Sequence, residues 1–237
     1  MYVLNRKNVD KINEWLLTAQ DEGVGALIDK EEKWTSFDVV AKLRSMLKIK
    51  KVGHAGTLDP LATGLLIICF GKGTKKISEF QDLHKKYTGI IKLGATTITD
   101  DAEGKEENLK SLENLSNDFI TSNASKFVGR LMQIPPKFSA KKIDGVRLYK
   151  SARANIDVII KPNEVEIYKF EIDKIDLPFL YFTVDCSKGT YIRSLARDLG
   201  EILECGAYLY RLRRSAIGQY SVEDALKISE VEQYLKS

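Results

Sequence analysis

Gly53-His54-Ala55-Gly56-Thr57-Leu58-Asp59-Pro60-Leu61-Ala62-Thr63-Gly64-Leu65-Leu66-Ile67-Ile68-Cys69-Phe70 joins a glycine-punctuated loop to an unbroken apolar run. Leu65–Phe70 is far short of the roughly 18 apolar residues that would span a bilayer, and it reads as a buried strand. Gly53 and Gly56 free the loop backbone for turning or for close approach of a ligand. Pro60 holds Asp59 extended and so presents its carboxylate at a set angle. Rigid elements at both ends suit the mounting of a functional side chain. A plain Asp-Pro turn accounts for the same residues equally well.

Before this loop, Thr35-Ser36-Phe37-Asp38 has the spacing of a capping box and opens a helix that runs to about Leu47. Apolar residues at Val9, Ile12, Trp15, Leu16 and Ala19 predict an earlier helix, followed by a short strand at Ala26-Leu27-Ile28. Beyond the loop, Tyr87–Leu93 reads as a strand and Gly94–Gly104 as an acidic turn. The polar stretch after it ends in a helix through Ala124, Phe127 and Val128. Paired prolines keep Gln133–Phe138 extended. Glu164–Ile175 and Leu180–Cys186 are strand-like, and a helix opens at Thr190 and carries Ile192, Leu195, Ala196, Leu199, Ile202 and Leu203 on its helical period. A last helix is expected from the Ser221-Val222-Glu223-Asp224 capping box to the end. No regular βαβ rhythm appears, so an α+β sheet protein is expected.

The chain has 237 residues, a net charge of +4, three cysteines and two histidines. Cys69, Cys186 and Cys205 are widely spaced and form no Cys-x-x-Cys pair, so they read as small core residues. His54 and His84 are too few for a histidine-rich metal site. Met1–Lys7 has neither the apolar block nor the cleavage site of a signal peptide, which leaves a cytoplasmic protein as the expectation. Gly71-Lys72-Gly73-Thr74 is out of register for a phosphate loop. Asp100-Asp101 reads as a solvated loop tip. Basic residues gather at Lys72–Lys86, at Lys137–Arg153, and at Arg193, Arg197, Arg211, Arg213 and Arg214. These could converge on one face and cover phosphates, or lie scattered in solvent.

Gly53–Pro60 with Leu61-Ala62-Thr63-Gly64 resembles the signature of the bacterial tRNA pseudouridine-55 synthases, the TruB family. Thr35-Ser36-Phe37-Asp38-Val39-Val40 resembles that family's first block. Lys86-Tyr87, Leu93-Gly94 and Thr99-Asp100-Asp101-Ala102-Glu103-Gly104 resemble its second. Gln133-Ile134-Pro135-Pro136, Ser139-Ala140-Lys141, Asp144-Gly145, Tyr149 and Ala152-Arg153 resemble its RNA-gripping insertion. Cys186–Leu195 and Leu212-Arg213-Arg214 resemble its last blocks. The matches lie in order from about Ala26 to Ala225.

The resemblance implies the pseudouridine synthase catalytic fold, a mixed, largely antiparallel sheet flanked by helices with an RNA-gripping insertion. Residues 1–25 would form a helical extension, 26–225 the catalytic domain with the insertion at about 133–157, and 226–237 a terminal helix. Too few residues follow Ala216 for a full C-terminal PUA domain, so a short form is expected. The implied activity is isomerisation of uridine-55 in the T-loop of tRNA, with no cofactor and no metal. Asp59 would be the essential carboxylate, adding to ribose or uracil or removing a ribose proton. Arg193 would be its counter-charge, since a neighbouring guanidinium favours an ionised carboxylate. Tyr87 and Tyr191 would line the uracil pocket, Leu212 would wall it, and His54 would fill the space of the flipped base. Lys137, Lys141 and Arg153 would grip the RNA. The expected partner is the T-arm of tRNA, with no membrane and no obligate protein partner for a monomeric enzyme. A guided synthase acting on another RNA is the alternative enzyme, and a tRNA-folding chaperone the alternative or additional role. One departure stands out: the family's Asp-Lys-Pro-x-Gly is here Asp29-Lys30 followed by Glu31-Glu32-Lys33-Trp34, which changes the stiffness and charge of that loop.

Overall fold

The Leu65–Phe70 run is apolar at every position because both faces of its strand are covered. In the computed structural model, which describes residues 1–139, 142–143, 146–148, 154, 156 and 158–236, Leu66, Ile68 and Phe70 join one core cluster and Leu65, Ile67 and Cys69 another. Successive strand residues point to opposite faces, so a strand buried on both sides shows no polar alternation. The chain forms two compact units, Met1–Tyr87 with Leu212–Ser237, and Thr88–Arg211.

The first unit begins with β1 (Val3–Leu4), α1 (Ile12–Asp21), β2 (Val24–Lys30) and α2 (Ser36–Leu47). It continues through β3 (Val52–His54), β4 (Thr63–Phe70) and α3 (Ile77–Asp82) to the start of β5 (Lys85–Leu93). β4 runs antiparallel to β2 along its length and antiparallel to β3 at its far end. β1 adds to β2 in parallel. The capping box of α2 is complete, with Thr35 Oγ1 accepting from the Asp38 N–H at 3.0 Å and Asp38 Oδ2 accepting from the Thr35 N–H at 2.9 Å. Residues of the expected N-terminal extension enter this core: Trp15 is fully buried, meets Phe70 edge-on and donates from Nε1 to the Gly25 carbonyl at 2.8 Å.

The second unit contains β6 (Thr96–Thr97), β7 (Glu106–Glu107), α4 (Asn117–Ser125) and β8 (Gly129–Gln133). A small hairpin of β9 (Lys142–Ile143) and β10 (Val146–Arg147) precedes β11 (Asn163–Asp176) and β12 (Phe179–Cys186). β8, β11 and β12 run antiparallel in that order. Along β12 buried and half-buried residues alternate, and the Phe127, Phe170 and Phe182 rings pack edge to face beneath it. The helix Ile192–Ile202 follows, and then β13 (Ala207–Ile217), whose end returns to the first unit. There Arg213 and Arg214 lie parallel to Thr63 and Gly64 of β4, and β14 (Tyr220–Ser221) turns back on Ala216 and Ile217.

The mixed, largely antiparallel α+β architecture is as expected. Two local expectations need correction. The helix through Ala124 stops at Ser125, and the chain passes Gly129, at φ 113°, directly into β8. Ser221 caps a 3-10 turn at Val222–Asp224, and the terminal helix starts only at Ile228. The strand β13 shows no apolar alternation because arginines occupy three of its positions, including the buried Arg214. All three cysteines are free and buried, and burial, aided by the charge of Glu79, pushes the Cys69 thiol up to about 12. Among the described residues, no helix is long and apolar enough to cross a membrane.

Candidate active site

The loop bearing Asp59 is braced on both sides of that residue. Before it, the buried Ser36 hydroxyl accepts from the Leu58 N–H at 2.8 Å and donates to the Leu58 carbonyl at 3.1 Å. After it, the Pro60 carbonyl accepts from the Lys33 N–H at 2.9 Å and from Lys30 Nζ at 3.3 Å. The Asp59 carbonyl itself takes the Ala62 N–H at 3.0 Å. Gly56, at φ 93°, turns its carbonyl to Arg214 Nη2 at 3.1 Å, while Arg214 Nε donates to the Leu65 carbonyl at 2.7 Å. Gly64 has to be glycine, since its φ is 105° and a Cβ there would collide with the Arg214 backbone. The half-buried Asp59 side chain is thereby mounted on a loop with little freedom to reorient.

His54 ends β3, half-buried, and burial together with the charge of Arg214 lowers its pKa, so its imidazole is neutral at neutral pH. Tyr87 and Leu212, also of this unit, are buried in β5 and β13. At the departure, Lys33 takes the left-handed conformation, φ 69°, in the place where the family pattern has glycine. Asp29 holds Arg213 through two bonds at 3.0 and 2.8 Å.

Lys30 is 1% exposed and donates to the Glu31, Trp34 and Pro60 carbonyls. Burial lowers its pKa to about 8, against the raising effect of Asp59 and with the help of Arg214. Its folded pKa therefore lies below the unfolded value, and between about 8 and 10.5 the unfolded chain binds more protons. Stability contributed through Lys30 consequently rises with pH across that window. Paired unfolding curves of wild type and Lys30→Met should show the difference shifting in favour of wild type from pH 8 to 10. A constant difference would contradict this placement of the charge.

In the second unit, Tyr191 is half-buried at the N-cap of the helix Ile192–Ile202, and Arg193 lies in the first turn. Arg193 is 5% exposed. Its Nη1 donates to the Thr99 carbonyl at 3.2 Å and the Phe138 carbonyl at 3.0 Å, and lies 3.3 Å from Asp101 Oδ2. Asp101, 1% exposed, also accepts at Oδ1 from Thr99 Oγ1 at 2.6 Å and from the Glu103 N–H at 3.0 Å. Sequence reasoning missed Asp101 by treating Asp100-Asp101 as a loop tip. The signal available was the Asp-x-Glu-Gly spacing, in which an aspartate bonds to the backbone two residues on. Asp100 is paired with Arg197 at 3.1 Å, yet burial outweighs that charge and pushes its carboxyl up.

These contacts also correct the expected third basic cluster. Arg193 and Arg214 are buried, Arg197 and Arg213 are held by carboxylates, and only Arg211 of the five is exposed. Lys137 is exposed on the segment whose next carbonyl, that of Phe138, is bound by Arg193. Lys141 and Arg153 lie outside the described residues.

Residues 44–192 match the TruB family pseudouridylate synthase N-terminal domain, and residues 193–237 match the tRNA pseudouridylate synthase B C-terminal domain. The chain is 48% identical to tRNA pseudouridine synthase B of Flavobacterium johnsoniae, covering 91% of this chain and 97% of that protein. It is 46% identical to the protein of the same name from Chlorobaculum tepidum, over 89% and 90% of the two chains. Among solved structures, a chain of a Cbf5-Nop10-Gar1 complex superposes with a TM-score of 0.72 at 25% identity, covering 93% of this chain and 56% of the other. With its Asp59 loop, its helix bearing Arg193 and both family domains matched from residue 44 to the end, the chain belongs to the TruB family of pseudouridylate synthases.

Proposed function

We propose that this chain converts uridine-55 in the T-loop of tRNA to pseudouridine, with Asp59 as the catalytic carboxylate. Family membership supports the reaction class, and the observation that carries the residue assignment is the bracing of Asp59 by Ser36, Lys30 and Lys33. Preorganised side chains need no reordering at the moment of reaction. The reaction breaks the bond from N1 to C1′, turns the uracil, and joins C5 to C1′; C5 then loses its hydrogen as a proton as the ring regains its unsaturation, and N1 takes up a proton. Net composition is unchanged, and no external oxidant or reductant is called for.

In this reading Arg193 is the counter-charge of Asp59, and Asp101 holds Arg193. Tyr87 and Tyr191 offer ring faces to the flipped uracil, Leu212 gives an apolar wall, and neutral His54 takes the place of the extruded base. Extrusion costs a few kcal/mol. Lys137, Lys141 and Arg153 supply phosphate contacts in a monomeric, cytoplasmic enzyme. Tritium release from tRNA transcripts labelled at uridine C5 tests the chemistry, because joining C5 to the ribose displaces that hydrogen. Release at one equivalent per tRNA is expected, and none with tRNA bound would overturn the assignment.

Binding should also be strongly salt-dependent. With roughly four phosphate contacts, affinity for the T-arm falls by about 50–150-fold between about 50 and 200 mM salt. A flat salt titration would contradict the gripping role of the basic insertion.

A further inference from the structure

Tyr191 opens the helix Ile192–Ile202 without any capping bond from its own side chain. A residue remote in sequence holds it instead. The side-chain amide of Gln133, at the end of β8, accepts from the Tyr191 N–H at 2.8 Å and donates to the Tyr191 carbonyl at 3.0 Å. Gln133 is 1% exposed. One hydrogen bond leaves a residue free to swing about it, whereas two bonds from one planar amide to both polar groups of a residue fix its backbone orientation and hence the direction of its Cα–Cβ bond. A buried glutamine amide is costly unless satisfied, so its place here is specified by those bonds.

The residues that follow Gln133 are tied to the same helix. The Ile134 carbonyl accepts from Ser194 Oγ at 2.8 Å and Arg197 Nη2 at 3.0 Å, and the Phe138 carbonyl accepts from Arg193 Nη1 at 3.0 Å. The first residues of the insertion are thus registered on the helix turn that carries Tyr191 and Arg193. We infer that Gln133 is a positioning residue for pseudouridine formation: it sets the direction of the Tyr191 side chain. The inference rests on the functional reading above. It predicts that changing Gln133 misplaces reacting groups without removing any contact to RNA. The helix itself should survive, because the Tyr191 carbonyl still receives the Leu195 N–H at 3.1 Å.

Gln133→Glu keeps shape and volume but sets a carboxylate oxygen against the Tyr191 carbonyl. Gln133→Met removes both bonds and serves as the second variant. Single-turnover pseudouridine formation should fall about 10–100-fold in each, the range that small misplacements cost. Affinity for tRNA, measured in the Asp59→Asn background, should stay within about twofold. If Gln133 acts through Tyr191, Gln133→Glu added to Tyr191→Ala should cost little beyond Tyr191→Ala alone. Unchanged rates in folded variants, losses of rate and affinity in equal proportion, or full additivity with Tyr191→Ala would each overturn the clamp. Wild type that binds tRNA and makes no product would instead overturn the functional reading, and the role of Tyr191 with it.

Discussion

Asp59→Asn is expected to stop pseudouridine formation while leaving the fold and the tRNA affinity nearly untouched. Asparagine has the same shape, and the contacts that brace the loop come from backbone groups of Leu58, Asp59 and Pro60 and from Ser36, Lys30 and Lys33. The variant keeps these contacts but loses the charge that Asp59 sets beside the buried Lys30, so it should fold with only a modest shift in unfolding temperature. Asparagine is a far weaker nucleophile or base, and losing an essential group of that kind costs roughly four to six orders of magnitude in rate. A variant that retains even a tenth of the wild-type single-turnover rate would remove Asp59 from the chemistry.

Asp101→Ala carries the second large effect, and it acts on stability as well as rate. Asp101 and Arg193 are both buried and 3.3 Å apart, and Asp101 also satisfies Thr99 and the Glu103 N–H. Removing one member of a buried ion pair typically costs about 3–5 kcal/mol, because the remaining charge keeps its desolvation penalty. For a chain of this length that is a fall in Tm of roughly 10 °C or more. Asp101→Asn keeps the volume and some of the hydrogen bonding, so it should unfold later than Asp101→Ala and still be slow if Arg193 serves the reaction. Thermal unfolding with parallel rate measurements checks both points. An Asp101→Ala protein as stable as wild type would mean that this pair contributes nothing.

Much of the fold was legible in the sequence where local and tertiary preferences agree. The Thr35/Asp38 capping box forms both of its bonds, and Leu65–Phe70 lies within the two-sided strand β4. Tyr87–Leu93, Glu164–Ile175 and Leu180–Cys186 fall within β5, β11 and β12. Legibility failed where burial overrides residue type. Arginine is rarely buried, so β13 was hidden by Arg211, Arg213 and Arg214, although Arg214 is 1% exposed and pins the Gly56 and Leu65 carbonyls. Met132, largely exposed in β8, gives that strand no apolar alternation to read.

The candidate site divides the same way. Asp59 was singled out by the resemblance of its loop to a family signature, since its glycines and proline alone fit a plain turn. Ser36, Lys30, Gln133 and Asp101 did not stand out, because each makes a bond to a group far away in sequence. Their partners exist only once the chain has folded. Ser36 lay inside a recognised helix cap and so already had a sufficient local explanation. Lys30 and Gln133 are long polar side chains whose usual place is the surface.

The central claim is that this chain, through Asp59, makes pseudouridine at one position of tRNA. Position-resolved pseudouridine mapping of an unmodified tRNA transcript incubated with wild type and with Asp59→Asn tests it most directly. The expected result is stoichiometric pseudouridine at uridine-55 with wild type and none with the variant, although both bind the transcript. Modification at another position, or equal product from Asp59→Asn, would contradict the account.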